Sequence, residues 1–222
     1  MNWEWKNCPI QCHDTHRGRS VKNTLILEAV ASQDLWIWHA FFGMPGLHND
    51  INVLDHSSVF NDIVNGQLPP VNYVVNGHHY RMGYYLSDGI YPKWATLMHT
   101  IPHPTTTKEK LFAQRQEAAR KDVERAFGVL QIKWVITQEP VRYWEKDELR
   151  LIMKTCILHN MIIEDARHVN VGKWTPPPKN AIPIPTLSRY VSILVAHISS
   201  CQLQIRNREI NTRLRNDLMK NL

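Results

Sequence analysis

The opening of the chain has the spacing of β-strands. Residues 2–6 alternate aromatic with polar side chains, which is the period of a strand with one buried face. Two longer apolar and aromatic runs follow, at residues 24–31 and 35–43. Only residues 32–34 separate these runs, so we expect them to pair as a hairpin. Three successive antiparallel strands are the simplest account of this region.

A helix and a second hairpin are predicted next. Asp50 precedes an apolar pattern of helical period over residues 51–66 and is a plausible N-cap, while Gly66 ends the pattern. Asn76 and Gly77 form a dipeptide that favours the tight turn of a small hairpin.

The middle of the chain predicts one more strand and two long helices. Residues 83–92 have the character of a short apolar strand that runs out at Asp88, and a helical turn is expected over 93–99. Apolar positions then recur at helical spacing over 108–131 and again over 146–167. Strands followed by helices predict a mixed α/β fold.

The last part of the chain predicts a linker and a helical tail. Five prolines within residues 174–186 indicate an extended linker, and a helical pattern runs from Leu187 to Leu222. Apolar residues of this tail recur in a heptad-like seam: Leu187, Val191, Leu194, Ile198, Cys201 and Ile205. The seam either docks onto the protein's own core or forms a dimer.

Composition indicates a folded protein with a basic character. Hydrophobic residues make up 43% and charged residues 21%, which is too apolar for disorder. We find no signal peptide and no run near the ~18 apolar residues of a membrane span. Four cysteines are too few for a disulfide scaffold, so we expect the nucleus or the cytoplasm. A net charge of +6 and a pI near 9.2 favour polyanions such as DNA.

Two acidic residues are placed where a metal ion could bind. Asp88 stands at a strand end, and Glu124 lies 36 residues later on the predicted helix, at the edge of its apolar face. Converging carboxylates are the ligands that Mg²⁺ prefers. The alternatives are an ordinary Asp-Gly turn at Asp88 and an ion pair of Glu124 with Arg120 or Arg125.

Six blocks of sequence resemble plant PIF/Harbinger transposase-derived proteins. They occur in the family's order within residues 1–167: WEWKNCP, ILEAVASQDLWIWHAFFG, NDINVLD, GYYLSDGIYP, KLFAQRQEAARKDVERAFGVLQ and LHNMIIED. The segment RNREINTRLRNDL resembles the family's C-terminal tail. The resemblance implies a ribonuclease H-like nuclease domain, a mixed sheet flanked by helices, over 1–167. A proline-rich linker over 168–186 and a helical tail over 187–222 would follow.

The same resemblance implies a DNA endonuclease that uses a divalent cation, Mg²⁺ or Mn²⁺. The family has an Asp, Asp, Glu triad, and by the resemblance its second and third carboxylates fall on Asp88 and Glu124. These two residues would be both catalytic and metal-binding. It also implies a nuclear location, DNA as substrate, and a Myb-like partner protein that supplies DNA binding.

The first aspartate of that triad falls outside the sequence. In the family it stands two residues before the methionine that matches Met1. Glu4 has the opposite strand parity and Asp14 lies in a loop, while Asp50, the next best substitute, is expected to cap a helix. We therefore expect an impaired nuclease. The alternatives are a non-catalytic, domesticated DNA- or chromatin-associated interaction protein and a gene fragment.

Three other groups of residues have both a structural and a functional interpretation. A cluster of soft ligands is either a zinc site or a chance group in a divergent loop: Cys8, Cys12, His13 and His16. His159 and Asn160 lie on an apolar helix, where core groups that satisfy each other or the backbone are commoner than catalytic ones. A loosely basic helix is either solvated or in contact with DNA: Lys108, Lys110, Arg115, Arg120, Lys121, Arg125 and Lys133.

Overall fold

The computed structural model describes residues 1–18, 21–58, 71–167, 200 and 203–221, and the backbone of 168–170. It contains two compact units. The first unit is Met1–Ser57 with Lys121–Pro176, and the second unit is Ser58–Arg120 with Pro177–Leu222. Within the described residues, no helix has both the length and the apolar character needed to cross a membrane. The predicted division into 1–167, 168–186 and 187–222 stays a prediction.

Strands and helices both occur in each unit, which confirms the predicted mixed α/β class. The strands are β1 Asn2–Glu4, β2 Thr24–Ala31, β3 Ile37–Pro45, β4 Tyr73–Val75, β5 His78–Tyr80, β6 Tyr85–Ser87 and β7 Leu97–His99. The α-helices are α1 His13–His16, α2 Asp50–His56, α3 Thr107–Arg120, α4 Asp122–Lys133, α5 Lys146–Met153, α6 Thr155–Asn170 and α7 Arg208–Lys220. Short 3-10 helices span Ile10–Cys12 and Val135–Thr137.

The first unit is built on the predicted three-stranded sheet. Its order is β1-β2-β3, and both pairs of neighbours are antiparallel. Trp3 pairs with Leu25, and both side chains are buried because alternate residues of β1 and β2 face the same core. The connection between β2 and β3 is longer than predicted, since Leu35 adopts a φ of 69° and β3 begins only at Ile37.

The core of the first unit forms between this sheet and the helices α4, α5 and α6. Leu27 from the sheet and Leu130 from α4 are fully buried, and so is Leu149 from α5. Burial of a leucine side chain contributes roughly 1.5–3 kcal/mol. This core fixes the position of β1 between β2 and residue Val141, whose amide donates to Glu4 and whose carbonyl accepts from Lys6.

The second unit contains the hairpin predicted at Asn76 and Gly77. Both residues have positive φ, 49° and 79°, as a two-residue hairpin turn requires, and β4 pairs with β5 across the turn. The helical turn expected over 93–99 is wrong. Part of that range is strand β7, because Leu97–His99 pair in parallel with β6 and the fully buried Met98 packs into this unit's core.

Helix boundaries needed three corrections. The helix predicted over 108–131 is two helices, with a turn at Lys121 between α3 and α4. The helix over 146–167 is likewise interrupted at Lys154, whose ψ of −9° ends α5. One-residue breaks of this kind leave the apolar period almost unchanged. The N-cap of α2 is Asn49 and not Asp50, since the Asn49 side chain accepts from the Asn52 amide at 2.8 Å.

Some predictions fall on residues that the structure does not describe. The predicted helix end at Gly66 and the proline linker over 174–186 lie outside the described residues. So does the seam of the tail, apart from Ile205, which is 2% exposed. The described part of the tail is helical, as predicted, over α7.

Candidate functional site

The amine of Met1 lies at the start of β1, where carboxylates from three elements approach it. Its nitrogen donates to the Leu27 carbonyl at 2.7 Å, and the Leu27 amide donates back to the Met1 carbonyl at 2.8 Å. Burial lowers the pKa of this amine, whereas the negative charges of Asp50, Glu28 and Glu124 raise it. Burial is the largest of these influences, so the pKa of the amine lies below its ordinary value.

Glu124 reaches this position from the first turn of α4, and its side chain is exposed. Both arginines considered as its partners have salt bridges with other acids, and the ion pair considered for Glu124 stays a prediction. Arg125 binds Asp122 at 2.6 Å, and Arg120 binds Glu117 at 2.5 Å. The negative charge of Glu124 raises the pKa of the Met1 amine, though less than that of Asp50 or Glu28.

Glu28 is a further acid whose charge acts on the Met1 amine, and our sequence analysis did not single it out. It lies on β2 and is half-buried, with Oε2 3.9 Å from Nε2 of His39. Burial raises the pKa of Glu28, while a hydrogen bond from Ser57, the charge of His39 and the Met1 amine lower it. The signal was available, because Glu28 is the single charged residue in the apolar strand TLILEAVA.

Asp88 directly follows β6 in the second unit, as predicted. Its side chain is exposed, and Oδ1 accepts from the Gly89 amide at 2.6 Å. The Asp88 carbonyl accepts from the Tyr91 amide at 3.2 Å, so Asp88 begins a β-turn that contains Gly89. His99 of β7 is buried, which lowers its pKa, and Lys93 and Arg215 lower it further, whereas Asp88 raises it. Asp88 is thus described within its own unit, and its sharing of a metal ion with Glu124 stays a prediction.

The chemistry of these oxygen donors fits a hard divalent cation better than a soft one. Within the described residues, however, no group of three His, Cys, Asp or Glu side chains is close enough together to hold a metal ion. Asp50, Glu28 and Glu124 therefore do not form a set of metal ligands by themselves.

The two histidines among the four soft ligands near the N-terminus bind backbone carbonyls. Nε2 of His13 lies 2.9 Å from the Cys8 carbonyl, and Nδ1 of His16 lies 2.9 Å from the Cys12 carbonyl. His16 is buried, which lowers its pKa, and its ring packs edge-on against Trp5 with centroids 5.2 Å apart. These contacts give the segment after β1 a structural role.

His159 and Asn160 also have the structural role that we favoured from the sequence. Nε2 of His159 lies 2.9 Å from the Leu35 carbonyl. The amide group of Asn160 accepts from the Ile37 amide at 2.9 Å and donates to the Ile37 carbonyl at 2.7 Å. The Asn160 side chain thus forms with Ile37, at the start of β3, the hydrogen bonds that a neighbouring strand would form. Both His159 and Asn160 satisfy backbone groups.

Comparison with known proteins identifies the family. A family model described as "Plant transposon protein" matches residues 1–170. The Arabidopsis thaliana protein named "Protein ALP1-like" is 26% identical over 148 residues, which is 64% of this chain and 36% of that protein. The chain thus aligns with only about a third of this relative's length. No solved structure gives a significant match. The chain belongs to the plant transposon protein family, a family of DDE-type endonucleases.

Proposed function

We propose that this chain is a Harbinger-type, transposase-derived DNA endonuclease with a ribonuclease H-like arrangement. Asp88 and Glu124 would bind a Mg²⁺ or Mn²⁺ ion. The family supports the reaction class. The single observation that carries the proposal is the family match over residues 1–170, within which Asp88 directly follows β6 and Glu124 lies in the first turn of α4. The family resemblance expects its first metal-binding aspartate on the strand that contains β1.

A divalent ion held there would activate water and stabilise the leaving oxygen of a phosphodiester. The chain's own side chains give the site its negative charge and its orientation. Glu124 is fixed by a helix whose buried residues pack on β2, and Glu28 adds negative charge from the other face of the strand. The family resemblance places two of its three carboxylates on Asp88 and Glu124. A nuclear location and a Myb-like DNA-binding partner are part of the same proposal.

The test adds an aspartate at the expected register. The tripeptide Met-Asp-Ala placed ahead of Met1 puts the new aspartate opposite Ala29, on the face that Trp3 and Leu27 share. The matched control is Met-Asn-Ala, which moves the terminal amine equally. We expect the aspartate form to cleave labelled duplex DNA ~10²–10³ times faster than the asparagine form with Mg²⁺ or Mn²⁺.

Two substitutions complete the test. Asp88→Asn and Glu124→Gln should each return the aspartate form to the rate of the control. Equal rates for the two extended forms would overturn the catalytic proposal. Metal-dependent cleavage by the unextended chain, abolished by Asp88→Asn, would instead show that two carboxylates suffice.

A second candidate is a non-catalytic, domesticated DNA- or chromatin-associated interaction protein. The charge of the second unit favours it, since its described residues hold eleven Lys and Arg against five Asp and Glu. This candidate predicts DNA binding in EDTA by every form above, with no metal-dependent cleavage by the aspartate form. Tight binding that appears only with added metal would count against it.

A further inference from the structure

Helix α7 is held on the second unit by polar contacts as well as by apolar packing. Leu214 is 1% exposed and lies in the core with Met98 and Phe112. Asn211 donates to the carbonyls of Trp94 and Leu97, at 2.6 Å each. These directional contacts fix the rotation of α7 about its axis, and so determine which side chains point to solvent.

The buried Asp217 fixes the same helix to the β4–β5 hairpin. Its carboxylate accepts from the Tyr80 hydroxyl at 2.6 Å and from Nδ1 of His78 at 2.7 Å. The Asn76 side chain donates to the Asp217 carbonyl at 2.7 Å. This acid is therefore used internally, and its charge is directed into the unit.

The solvent face of α7 carries cations along an open groove of about 480 Å³. Arg208, Arg213 and Lys220 line it, together with Thr212, Asn216, His78, the exposed acid Glu209 and the buried Asp217. Within the described residues, none of the three cations forms a salt bridge. The Arg213 guanidinium lies 5.5 Å from the centre of the Tyr80 ring, which restrains it in place.

We propose that this cationic surface of α7 binds the phosphate backbone of duplex DNA. Charge complementarity selects the partner, because Glu209 is the only exposed acid among the described residues of α7. Arg, Lys, Thr and Asn side chains are the groups that donate to phosphate oxygens. The exposed residues of this helix are all polar, whereas a protein partner would need apolar anchors there. The choice of DNA rests on the proposed function, but the surface itself lies outside the residues matched by the family model.

Binding without cleavage tests this surface separately from the active site. The full chain would be titrated against a labelled duplex of about 30 base pairs in EDTA, across a range of salt concentrations. The variant R208Q/R213Q/K220Q should bind roughly fivefold to tenfold more weakly for each lost contact near 0.1 M salt. The slope of log K against log salt should fall by about 0.9 for each contact.

The matched control removes the same charge from the first unit. Lys6, Arg142 and Lys154 are exposed, and the variant K6Q/R142Q/K154Q should change the affinity less than about threefold, with the slope nearly unchanged. Glu209→Gln, which removes the exposed acid of the groove, should tighten binding. Thermal melts of all variants would confirm that each is folded.

Three results would overturn the proposal. The first is an equal loss of affinity in the triple variant and its control, which would indicate a diffuse charge effect. The second is an unchanged salt slope in the triple variant of a folded chain. The third is a wild-type chain that binds an acidic protein or polyglutamate through these residues but no duplex. Loss of cleavage by the aspartate-extended form, with DNA binding intact, would leave this surface standing while the proposed catalysis fails.

Discussion

The two compact units differ most in charge. The described residues of the first unit hold fourteen Asp and Glu against eleven Lys and Arg, whereas those of the second unit hold five against eleven. The whole-chain charge of +6 averages over this difference. The exposed cations of α7 belong to the second unit. The basic character of the chain therefore lies mainly in the second unit, whereas the first unit has a small excess of acids.

The same core substitution in each unit gives the largest expected effect. Leu130 in the first unit and Leu214 in the second are 0% and 1% exposed. Replacing either by Ala should cost about 2–5 kcal/mol of unfolding free energy, because the cavity is only partly refilled. Hydrogen exchange should report the loss mainly in the unit that carries the substitution. Equal loss of protection throughout the chain for both variants would contradict a division into two units.

Two asparagines, the half-buried Asn160 and the buried Asn211, give a smaller and sharper contrast. Asn160 accepts one hydrogen bond and donates another to Ile37, whereas Asn211 only donates, to two carbonyls. Asn211→Asp should therefore cost more than Asn160→Asp, which keeps its acceptor. We expect about 1–3 kcal/mol for each donor that is lost. Urea unfolding of both variants would measure the difference, with Asn→Ala at each position as the control. The reverse order would show that these bonds do not position β3 and α7.

The fold was predictable from the sequence wherever the chain repeats a local pattern. The alternation in β1, the two apolar runs of β2 and β3, and the turn at Asn76 and Gly77 were all interpreted correctly. Strand β7 was not, because three residues next to prolines carry no period, and only pairing with β6 makes them a strand. The breaks at Lys121 and Lys154 were missed for a related reason, since one residue shifts the apolar period very little.

The site was predictable only in part. Asp88 was correctly placed at a strand end, and Glu124 on a helix beside the core. Glu28 escaped notice because a lone acid in a strand has no motif, and its importance depends on the register that brings Met1 opposite Leu27. The division of charge between the units was hidden as well, because each unit is assembled from two separate stretches of sequence.

The contrast extends to pH, where Asp217 in the second unit should stabilise the fold. Hydrogen bonds from Tyr80, and then from His78, lower the pKa of Asp217. Its contribution is therefore fully present above the unfolded pKa of about 3.9 and is lost as the pH falls through the lower folded value. Asp217→Asn should be less stable than the wild type at pH 7, with the gap closing in acid. Urea unfolding at several pH values measures this, and the exposed Asp55→Asn should show no such gap. A stability difference between Asp217→Asn and the wild type that persists below the folded pKa would mean that the shape of the Asp217 side chain, and not its charge, stabilises the fold.

Glu28 in the first unit should show the opposite dependence, with the smallest effect. Burial raises its pKa, so its contribution is fully present below the unfolded value of about 4.3 and is lost as the pH rises through the folded one. Glu28→Gln cannot ionise, so it should equal or exceed the wild-type urea midpoint at pH 7, and the two curves should meet in acid. If Glu28→Gln were instead less stable at pH 7, then His39 and the Met1 amine would outweigh the burial of the carboxylate. The start of β1 would then be a satisfied ion-pair cluster and not an acidic site that still attracts a cation.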